Sequence, residues 1–515
     1  MMVKRLSVTK TPAYWPMRAT LCALALGFGL SYTAWAASPP SNQAQVQTKV
    51  QAQTQSENSG TKNQASANLP VALEPLQLND VLTRVRTYHP KLLGATLERN
   101  IAAAKALEKQ GAFDPVIRGD SEFLRYNDFI DKGKVSETWD NEAVLSYTNN
   151  TGIKLESGYR FNTGDVKPPL YPTGTGGEYF MGLKMPLLRG LIINEKSVAL
   201  QQAELGIPKA DAELGVTRLD VLKAAAEAYW QWVGAGQKRI ATQKMLAVAQ
   251  FRVKAVKTRS EAGELPAIDI SEAEQEIFRR QGQLAKAQRE LEKATFKLAQ
   301  YLWQPDGTPD AYVPEARLPE KFTSAESLIP ELYADARLSA IKQRPEIRSL
   351  NLEQKIITLD KKLADTQRLP VLDAYIVPGM DTGENSIGFT VKTGVQLIVP
   401  LRQRTASGQI QAARFKLQKL DLSQRLLLQK ILIEVDDAVS AIQAAQMQLG
   451  AAQNEAALAE TLQDGERTRF DLGDSTLFLL NQRERAALEA QLKVIDERVG
   501  LEQAWVQFKA ASAAL

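Results

Sequence analysis

The side chains that could carry out covalent or metal chemistry are scarce in this sequence. Its 515 residues include one cysteine, Cys22, and one histidine, His89. A thiolate metal site, a disulfide framework and a Cys–His pair all need more of these residues than the chain has. His89 precedes Pro90, which favours a helix N-terminus over catalysis. Phosphate-binding GxxxxGK[ST] and dinucleotide-binding GxGxxG motifs do not occur. We therefore expect no catalytic residue, no metal and no cofactor; an enzyme would have to act through carboxylates alone.

Charged side chains gather instead at two turns, each built around one glycine. The first turn contains Arg259, Glu261, Gly263, Glu264 and Asp269, and the second contains Arg469, Asp471, Gly473 and Asp474. Charged turns are commonly just solvated, but at the free end of a helical hairpin they can also dock a partner protein. The chemistry that they offer is recognition rather than catalysis. A turn that is merely solvated remains the alternative to a docking site.

The two turns occupy equivalent positions in a tandem duplication. Residues 257–264 align with residues 467–474 at a constant offset of 210. Further matches are His89-Pro90 with Arg344-Pro345, and Met185-Pro186-Leu187 with Val399-Pro400-Leu401. Internal repeats define the fold, so they have to be recognised before single motifs are interpreted. Each half therefore has the order short helix, β segment, long helix, glycine turn and medium helix.

This duplication sets the domain boundaries. Repeat 1 covers residues 76–303, with strands in 116–185, a long helix over 187–262, a turn at 263 and a helix over 265–303. Repeat 2 covers residues 343–515, with strands in 371–399, a long helix over 401–472, a turn at 473 and a helix over 475–515. The proline-rich residues 304–342 form an equatorial linker region. Pro186 and Pro400 mark the strand–helix junctions, because proline is tolerated in the first turn of a helix but breaks a strand ladder.

The long helices are much longer than a globular domain is wide. After Pro400, Ala, Leu, Gln, Glu, Lys and Arg predominate without another proline. At 1.5 Å per residue the helix that ends before Gly473 would span about 110 Å. Two neighbouring apolar stripes, one through Val435 and one through Ile431, indicate that this helix packs against more than one neighbour, as in a coiled coil.

The β segments alternate apolar and polar residues around hairpin turns. Trp139, Leu145, Tyr147, Leu155, Tyr159 and Phe161 alternate with polar residues on either side of Asn149-Asn150-Thr151-Gly152. An aromatic-rich apolar face opposite a polar face is typical of a membrane β-barrel strand, and a soluble sandwich edge shows the same local pattern. Each chain supplies about four strands, or six if an extra hairpin joins them, whereas the smallest closed membrane barrels need about eight. Several chains are therefore required, and three chains with four strands each would close twelve.

The N-terminal residues resemble a targeting segment. Residues 1–36 combine Lys4, Arg5, Lys10 and Arg18 with the apolar run 21–30 and Ala34-Trp35-Ala36, as in a secretory signal peptide. A lipoprotein site at Cys22 is a weaker alternative, because Leu21 stands where a small residue is expected. Residues 37–75 are polar and are predicted to be disordered. The +4 charge resides in the signal, which leaves 59 basic and 59 acidic residues and argues against nucleic-acid binding.

In its combined pattern the sequence resembles the TolC-like outer membrane efflux and secretion channels of Gram-negative cells. The duplicated order, the Pro186-Leu187-Leu188-Arg189-Gly190 segment and the Arg-x-x-x-Gly-[Asp/Glu] turns carry the resemblance, which covers residue 76 to the C-terminus. It implies an α+β membrane protein: duplicated helical hairpins form a periplasmic α-barrel, and each protomer adds a few strands to a trimeric transmembrane β-barrel. It also implies a periplasmic adaptor (membrane fusion) protein at the helical tips and an inner-membrane transporter of the RND or ABC type. The expected role is an outer membrane exit duct for efflux or type I secretion.

For the aperture of such a duct the sequence provides only a hypothesis. Asp269 lies where the family commonly has aspartate, but the equivalent residue of the second repeat is Leu479, with Gln482 three residues further on. An acidic ring therefore lacks support, and an apolar constriction by Phe470 and Leu479 is the hypothesis. Other classes remain as alternatives: a structural or adhesive coiled-coil envelope protein, or a periplasmic adaptor. Neither fits two strand blocks with prolines at the strand–helix junctions.

Overall fold

The computed structural model describes residues 74–127, 133–166, 170–310, 312–319, 322 and 330–515. The predicted signal peptide, Cys22 and the predicted disordered segment up to residue 73 lie outside the described residues. All described residues belong to one unit, Ala72–Leu515.

The two halves have the same order of elements. The first contains α1 (Leu78–Tyr88), α2 (Pro90–Gln110), β1 (Val116–Asn127), β2 (Val135–Thr148), β3 (Lys154–Gly164), β4 (Gly177–Pro186), α3 (Glu195–Glu261) and α4 (Ile268–Ala299). The linker region contributes α5 (Pro330–Gln343), and the second half contains α6 (Pro345–Thr366), β5 (Val371–Thr382), β6 (Phe389–Ile398), α7 (Arg404–Asp471) and α8 (Leu477–Ala511). Helix, strands, long helix, turn and medium helix thus follow each other twice, as the duplication predicts.

Local capping explains where the first helices begin. The N-cap of α1 is Gln77, which forms a capping box with Asp80. The N-cap of α2 is His89, whose Nδ1 accepts a hydrogen bond from the Lys91 backbone N–H at 3.3 Å, and Pro90 occupies the first turn. Burial, and then the charge of Lys91, lower the pKa of His89. His89 therefore has the helix N-terminal role that its position before a proline predicts.

The long helices begin later than predicted, at 195 and 404 rather than at 187 and 401. Pro186 is the last residue of β4, in register with Asp373, and Pro400 lies two residues after the end of β6, so neither proline begins a helix. Between Pro186 and α3 the backbone turns at Gly190, which has φ +97°. Asn194 then caps α3, accepting a hydrogen bond from the Ser197 N–H at 2.8 Å. The cap, rather than the proline, fixes the start of the helix.

All six strands form one antiparallel sheet in the order β1-β2-β3-β4-β5-β6. The extra hairpin of the first half does add strands, so the sheet has six strands rather than the four of the simpler expectation. β4 of the first half pairs with β5 of the second half, which joins the two repeats. Within the described residues, β1 and β6 each have one edge without a neighbouring strand.

The two faces of this sheet differ in chemistry. One face carries exposed apolar side chains from every strand: Ile117, Phe123, Trp139, Leu145, Leu155, Tyr179, Met181, Leu183, Ile376, Met380, Phe389, Val391, Val395 and Leu397. The other face is charged and holds cross-strand ion pairs, such as Lys184–Asp373 at 3.0 Å. The described residues form a single sheet, so no second sheet covers the apolar face as it would in a sandwich.

The helices pack in a row that follows the order of the strands. α2 contacts α3, α3 contacts α6, and α6 contacts α7. α4 packs against α3 and α8 packs against α7 as the second arms of the two hairpins. Leu222, Trp232 and Leu298 belong to a core shared by α1, α3 and α4; Val435 and Trp505 belong to a core shared by α5, α7 and α8. None of the described helices combines the length and apolar character needed to cross a bilayer.

The predicted linker region packs against both halves. Arg84 of α1 forms an ion pair with Asp310 at 2.6 Å and donates from Nε to the Trp303 carbonyl at 2.8 Å. On the second half, Tyr333 of α5 donates to Asp436 of α7 at 2.8 Å. The linker region thus contains a helix, α5, whereas the sequence analysis describes this region only as a proline-rich linker.

Candidate functional site at the helical tips

The two glycine turns have nearly identical geometry. Gly263 and Gly473 have φ values of +79° and +85°, a conformation that glycine adopts without the strain other residues incur. The residue after each glycine donates its N–H to the arginine carbonyl four residues before the glycine, Glu264 to Arg259 at 2.9 Å and Asp474 to Arg469 at 2.8 Å. The repeated sequence motif therefore encodes one turn, used twice.

The turns lie side by side. The Arg259 guanidinium, held by Glu264 at 3.0 Å, lies over the Phe470 ring with its Cζ 5.5 Å from the ring centroid. Glu261, Gly263 and Glu264 of the first turn and Asp471, Gly473 and Asp474 of the second are exposed, and Asp269 is half-buried. The structure thus brings the predicted tip residues of both repeats together at one end of the hairpins.

The predicted aperture residues separate into two groups. Phe470 is only 6% exposed and packs with Val253, Val256, Leu477 and Leu480, so it belongs to the core of the tip and does not line an opening. The prediction of Phe470 as an aperture residue is wrong, because its ring is needed to join α7 to α3 and α8. Leu479 is 41% exposed and Gln482 is exposed, so both remain accessible.

A buried ionic cluster lies just above the tips, and the sequence reasoning missed it. Glu484 of α8 and Arg280 of α4 have side chains that are each 2% exposed, and Arg280 Nη2 donates to Glu484 Oε2 at 2.7 Å. Arg252 of α3 donates to both oxygens of Glu484 and to Asn481 Oδ1 at 3.1 Å. The cluster therefore ties both helices of the first hairpin to the second hairpin.

A second carboxylate extends this cluster. Glu276 accepts from Arg280 at 3.0 Å and from Arg485 at 2.9 Å, and Arg280 also donates to the Met245 carbonyl at 2.8 Å. Charge-assisted hydrogen bonds of this kind are about twice as strong as neutral ones. The signal was present in the sequence: Glu484 interrupts the apolar stripe Leu477, Leu480, Ala487, and a charge at such a position needs a buried partner.

The environment of Glu484 favours its ionised form. Burial is the largest single influence and by itself raises the pKa of the carboxyl. The hydrogen bonds and charges of Arg252 and Arg280 together outweigh burial, so the pKa of Glu484 is lowered. The cluster is therefore ionised at neutral pH.

This lowered pKa predicts a pH-dependent stability. A carboxyl whose pKa is lower in the folded state stabilises fully above its unfolded pKa, about 4.3, and loses that contribution as the pH falls through the folded value. Heat-induced loss of helical circular dichroism, compared between the wild type and Glu484→Gln, checks this. We expect a wide gap between their melting temperatures at pH 7 and a narrower gap at pH 3. An equal gap at both pH values would contradict the ionised cluster.

No group of histidine, cysteine or acidic side chains that could hold a metal ion occurs in the part of the chain that the structure describes. The site is a pair of charged turns with a buried ionic cluster just above them, an arrangement suited to the recognition of a partner.

Comparison with known proteins agrees with this description. Residues 192–302 match the family model of the outer membrane efflux proteins. No match was found among curated protein sequences. The matching model and the fold together confirm the predicted resemblance to TolC-like outer membrane efflux channels.

Several solved channels share this fold. The outer membrane protein VceC of Vibrio cholerae is 16% identical, with a TM-score of 0.62 over 85% of this chain and 96% of that one. The CmeC channel of Campylobacter jejuni is 14% identical, with a TM-score of 0.60 over 85% of both chains. The open state of the MtrE channel of Neisseria gonorrhoeae is 15% identical, with a TM-score of 0.60 over 84% and 88%. At these sequence identities the comparison shows that the fold is shared and nothing further.

Proposed function

We propose that three copies of this chain form a passive exit duct of a tripartite efflux or type I secretion system. The sheets close a barrel in the outer membrane, and the helices form the periplasmic tube. The tips dock a periplasmic adaptor protein, which links the duct to an inner-membrane transporter of the RND or ABC type. The single observation that carries the proposal is the sheet, which has an exposed apolar face on all six strands and unpaired edges on β1 and β6.

The sheet supports association because unpaired strand edges are not tolerated in lipid. An apolar face of this size on a soluble monomer would be an aggregation hazard, whereas facing lipid it is stable. The charged face, with its cross-strand ion pairs, then lines the water-filled interior. Other copies have to supply the missing edge partners.

The helices support the same association. α2 and α7 lie at opposite ends of the row α2-α3-α6-α7. Leu93, Leu97 and Ile101 form an exposed stripe on α2, and Phe415, Leu422, Leu426 and Ile433 are exposed on α7. Since α2 leads into β1 and α7 follows β6, both apolar stripes continue the two unpaired sheet edges. A neighbouring copy that pairs its β6 with β1 would also bring its α7 to α2.

Assembly and conduction test the proposal directly. We expect outer membrane extracts to contain a trimer that resists SDS until it is heated, and the purified trimer to conduct ions in a planar bilayer. A coiled-coil envelope protein would give no conductance, and a periplasmic adaptor would be absent from the outer membrane fraction. Monomers without channel activity would refute the duct.

Adaptor docking needs its own experiment. A photo-crosslinking amino acid at Asp471, which is exposed at the second turn, should capture the adaptor in intact cells. The same probe at Lys419, which is exposed on α7 far from the turns, serves as the control. Equal capture from both positions, or none from Asp471, would contradict docking at the tips.

The apolar constriction now rests on Leu479, since Phe470 is buried. Leu479→Asp would place three carboxylates around the opening of a trimer, and their repulsion and hydration should widen it. We expect a several-fold increase in single-channel conductance. Glu489→Gln, an exposed substitution further along α8, is the control and should leave the conductance unchanged. An unchanged single-channel conductance in Leu479→Asp would refute the apolar constriction.

A further inference from the structure

The sheet contains two strands more than the simplest trimeric barrel would use. If β1 and β2 stay in the barrel wall, three copies of the six-stranded sheet supply eighteen strands. If this hairpin leaves the wall, the remaining four strands of each copy would close a barrel of twelve. The two arrangements differ in which edge meets the β6 edge of the next copy: β1 in the first, β3 in the second.

The β1–β2 hairpin has the chemistry of a barrel wall. Phe123 and Trp139 are opposite each other on the apolar face, with ring centroids 5.0 Å apart, and Ile117 is opposite Leu145. On the polar face, Arg118 pairs with Glu142 across the strands at 3.6 Å. This is the same division of faces that β3 to β6 show. The hairpin would expose its apolar face to water if it left the membrane.

The length of the strands agrees with a membrane location. β1 has 12 residues and β2 has 14. A tilted strand needs about 9–11 residues to cross the hydrocarbon core. β2 also pairs with β3 over eleven successive positions, from Thr138 with Gly164 to Thr148 with Lys154. Removing the hairpin from the wall would break this whole ladder.

The width of the helical layer provides an independent argument. The row α2-α3-α6-α7 contains four helices. At about 8–10 Å between axes, four helices span about 32–40 Å of circumference. Six strands about 4.8 Å apart and tilted by about 40° span about 37 Å, whereas four span only about 25 Å. The six-stranded sheet therefore matches the helices that it joins.

The two free edges also complement each other in charge. Glu122 lies on the polar face of β1, and Lys392 lies on the polar face of β6. Neither has an ion-pair partner among the residues that the structure describes, whereas Arg118, Arg160 and Lys184 on this face each pair with a carboxylate. Pairing of β1 with β6 of another copy would bring these opposite charges to the same seam.

From these observations we infer that the β1 edge of each copy pairs with the β6 edge of the next, so that the trimer closes a barrel of eighteen strands. The inference rests on the proposed duct. It specifies a barrel diameter about one and a half times that of a twelve-stranded barrel, because the diameter grows roughly linearly with strand number. The partner that fits the β1 edge is a second copy of this chain.

Disulfide crosslinking tests the seam in a Cys22→Ser background. Thr393→Cys or Val395→Cys on β6 is combined with one cysteine on the same face of β1. The β1 positions, two residues apart so that every register is sampled, are Ile117, Gly119, Ser121, Phe123 and Arg125. We expect at least one combination to give SDS-resistant dimers and trimers that remain after boiling and disappear on reduction. The matched control places the cysteine on β3, at Ser157 or Thr163, and should give no crosslink.

The outcomes separate this inference from the proposed function. Crosslinks from β3 with none from β1 would overturn the eighteen-stranded barrel and leave the trimeric duct standing. Crosslinks between two β1 cysteines alone would also overturn it. Each variant is first checked for heat-sensitive trimers without oxidation. A chain that forms no trimer at all refutes the duct itself, whereas intact trimers without any β1–β6 crosslink refute only the seam.

Discussion

Replacing Glu484 with Gln is expected to lower the local stability of the tip by about 3–5 kcal/mol, because it leaves Arg252 without its counter-charge and Arg280 with Glu276 alone. Arg252 and Arg280 both donate to this carboxylate, and Arg280 is as deeply buried as Glu484 itself. Glutamine keeps the shape of the side chain but carries no charge. The loss therefore reports on the ionic cluster rather than on a cavity.

Hydrogen exchange of the trimer in detergent measures this effect where it occurs. Amides in α4 near Arg280 and in α8 near Glu484 should exchange roughly a hundredfold faster or more, since about 1.4 kcal/mol corresponds to a factor of ten. The control is Glu489→Gln, an exposed carboxylate on the same helix, which should shift stability by less than about 0.5 kcal/mol. Unchanged exchange in Glu484→Gln would show that the cluster contributes little to holding the hairpins together.

The cluster also bears on how the tip could open. Any movement of α8 away from α3 and α4 has to break the hydrogen bonds that Arg252 and Arg280 donate to Glu484. Weakening the cluster should therefore raise the frequency of open events as well as the exchange rate. If Leu479→Asp opens the channel and Glu484→Gln only speeds exchange, closure depends on the apolar ring rather than on the ionic cluster.

The repeat pattern made most of the fold predictable. The offset between Gly263 and Gly473 located both turns, and the alternation around Asn149 located the first strands. Helix starts were less predictable, because Asn194 and Gly190 outweigh Pro186 in fixing where α3 begins. The six-strand count depends on pairing between distant residues, such as Tyr179 with Met380, which local periodicity does not encode.

The site was predictable only in part. Exposed turn charges such as Asp471 follow from a charged glycine turn, so the tip residues could be named from sequence. The burial of Phe470 depends on Val253, which is distant in sequence, and on Leu480 across the turn, and these residues meet through packing of α3, α7 and α8. For the same reason the partners of Glu484 could not be read from its own helix.

Trp232→Ala is the second substitution with a large expected effect. The indole of Trp232 is 0% exposed in the core shared by α1, α3 and α4, close to Tyr229, whose hydroxyl donates to the Leu76 carbonyl at 2.9 Å. Burial in this core is the main cause that raises the pKa of Tyr229 to about 12. Truncation of a large aromatic side chain in such a core costs about 3–5 kcal/mol through lost burial and the cavity left behind.

The conservative variant separates volume from hydrogen bonding at this position. The indole N–H of Trp232 has no hydrogen-bond partner among the described residues. Trp232→Phe removes that donor and keeps most of the volume, so its cost should stay below about 1.5 kcal/mol. Hydrogen exchange of α1 and of α4 near Leu298 should therefore rise strongly in Trp232→Ala and little in Trp232→Phe. Equal effects of the two variants would contradict a cost that is set by the volume removed from this core.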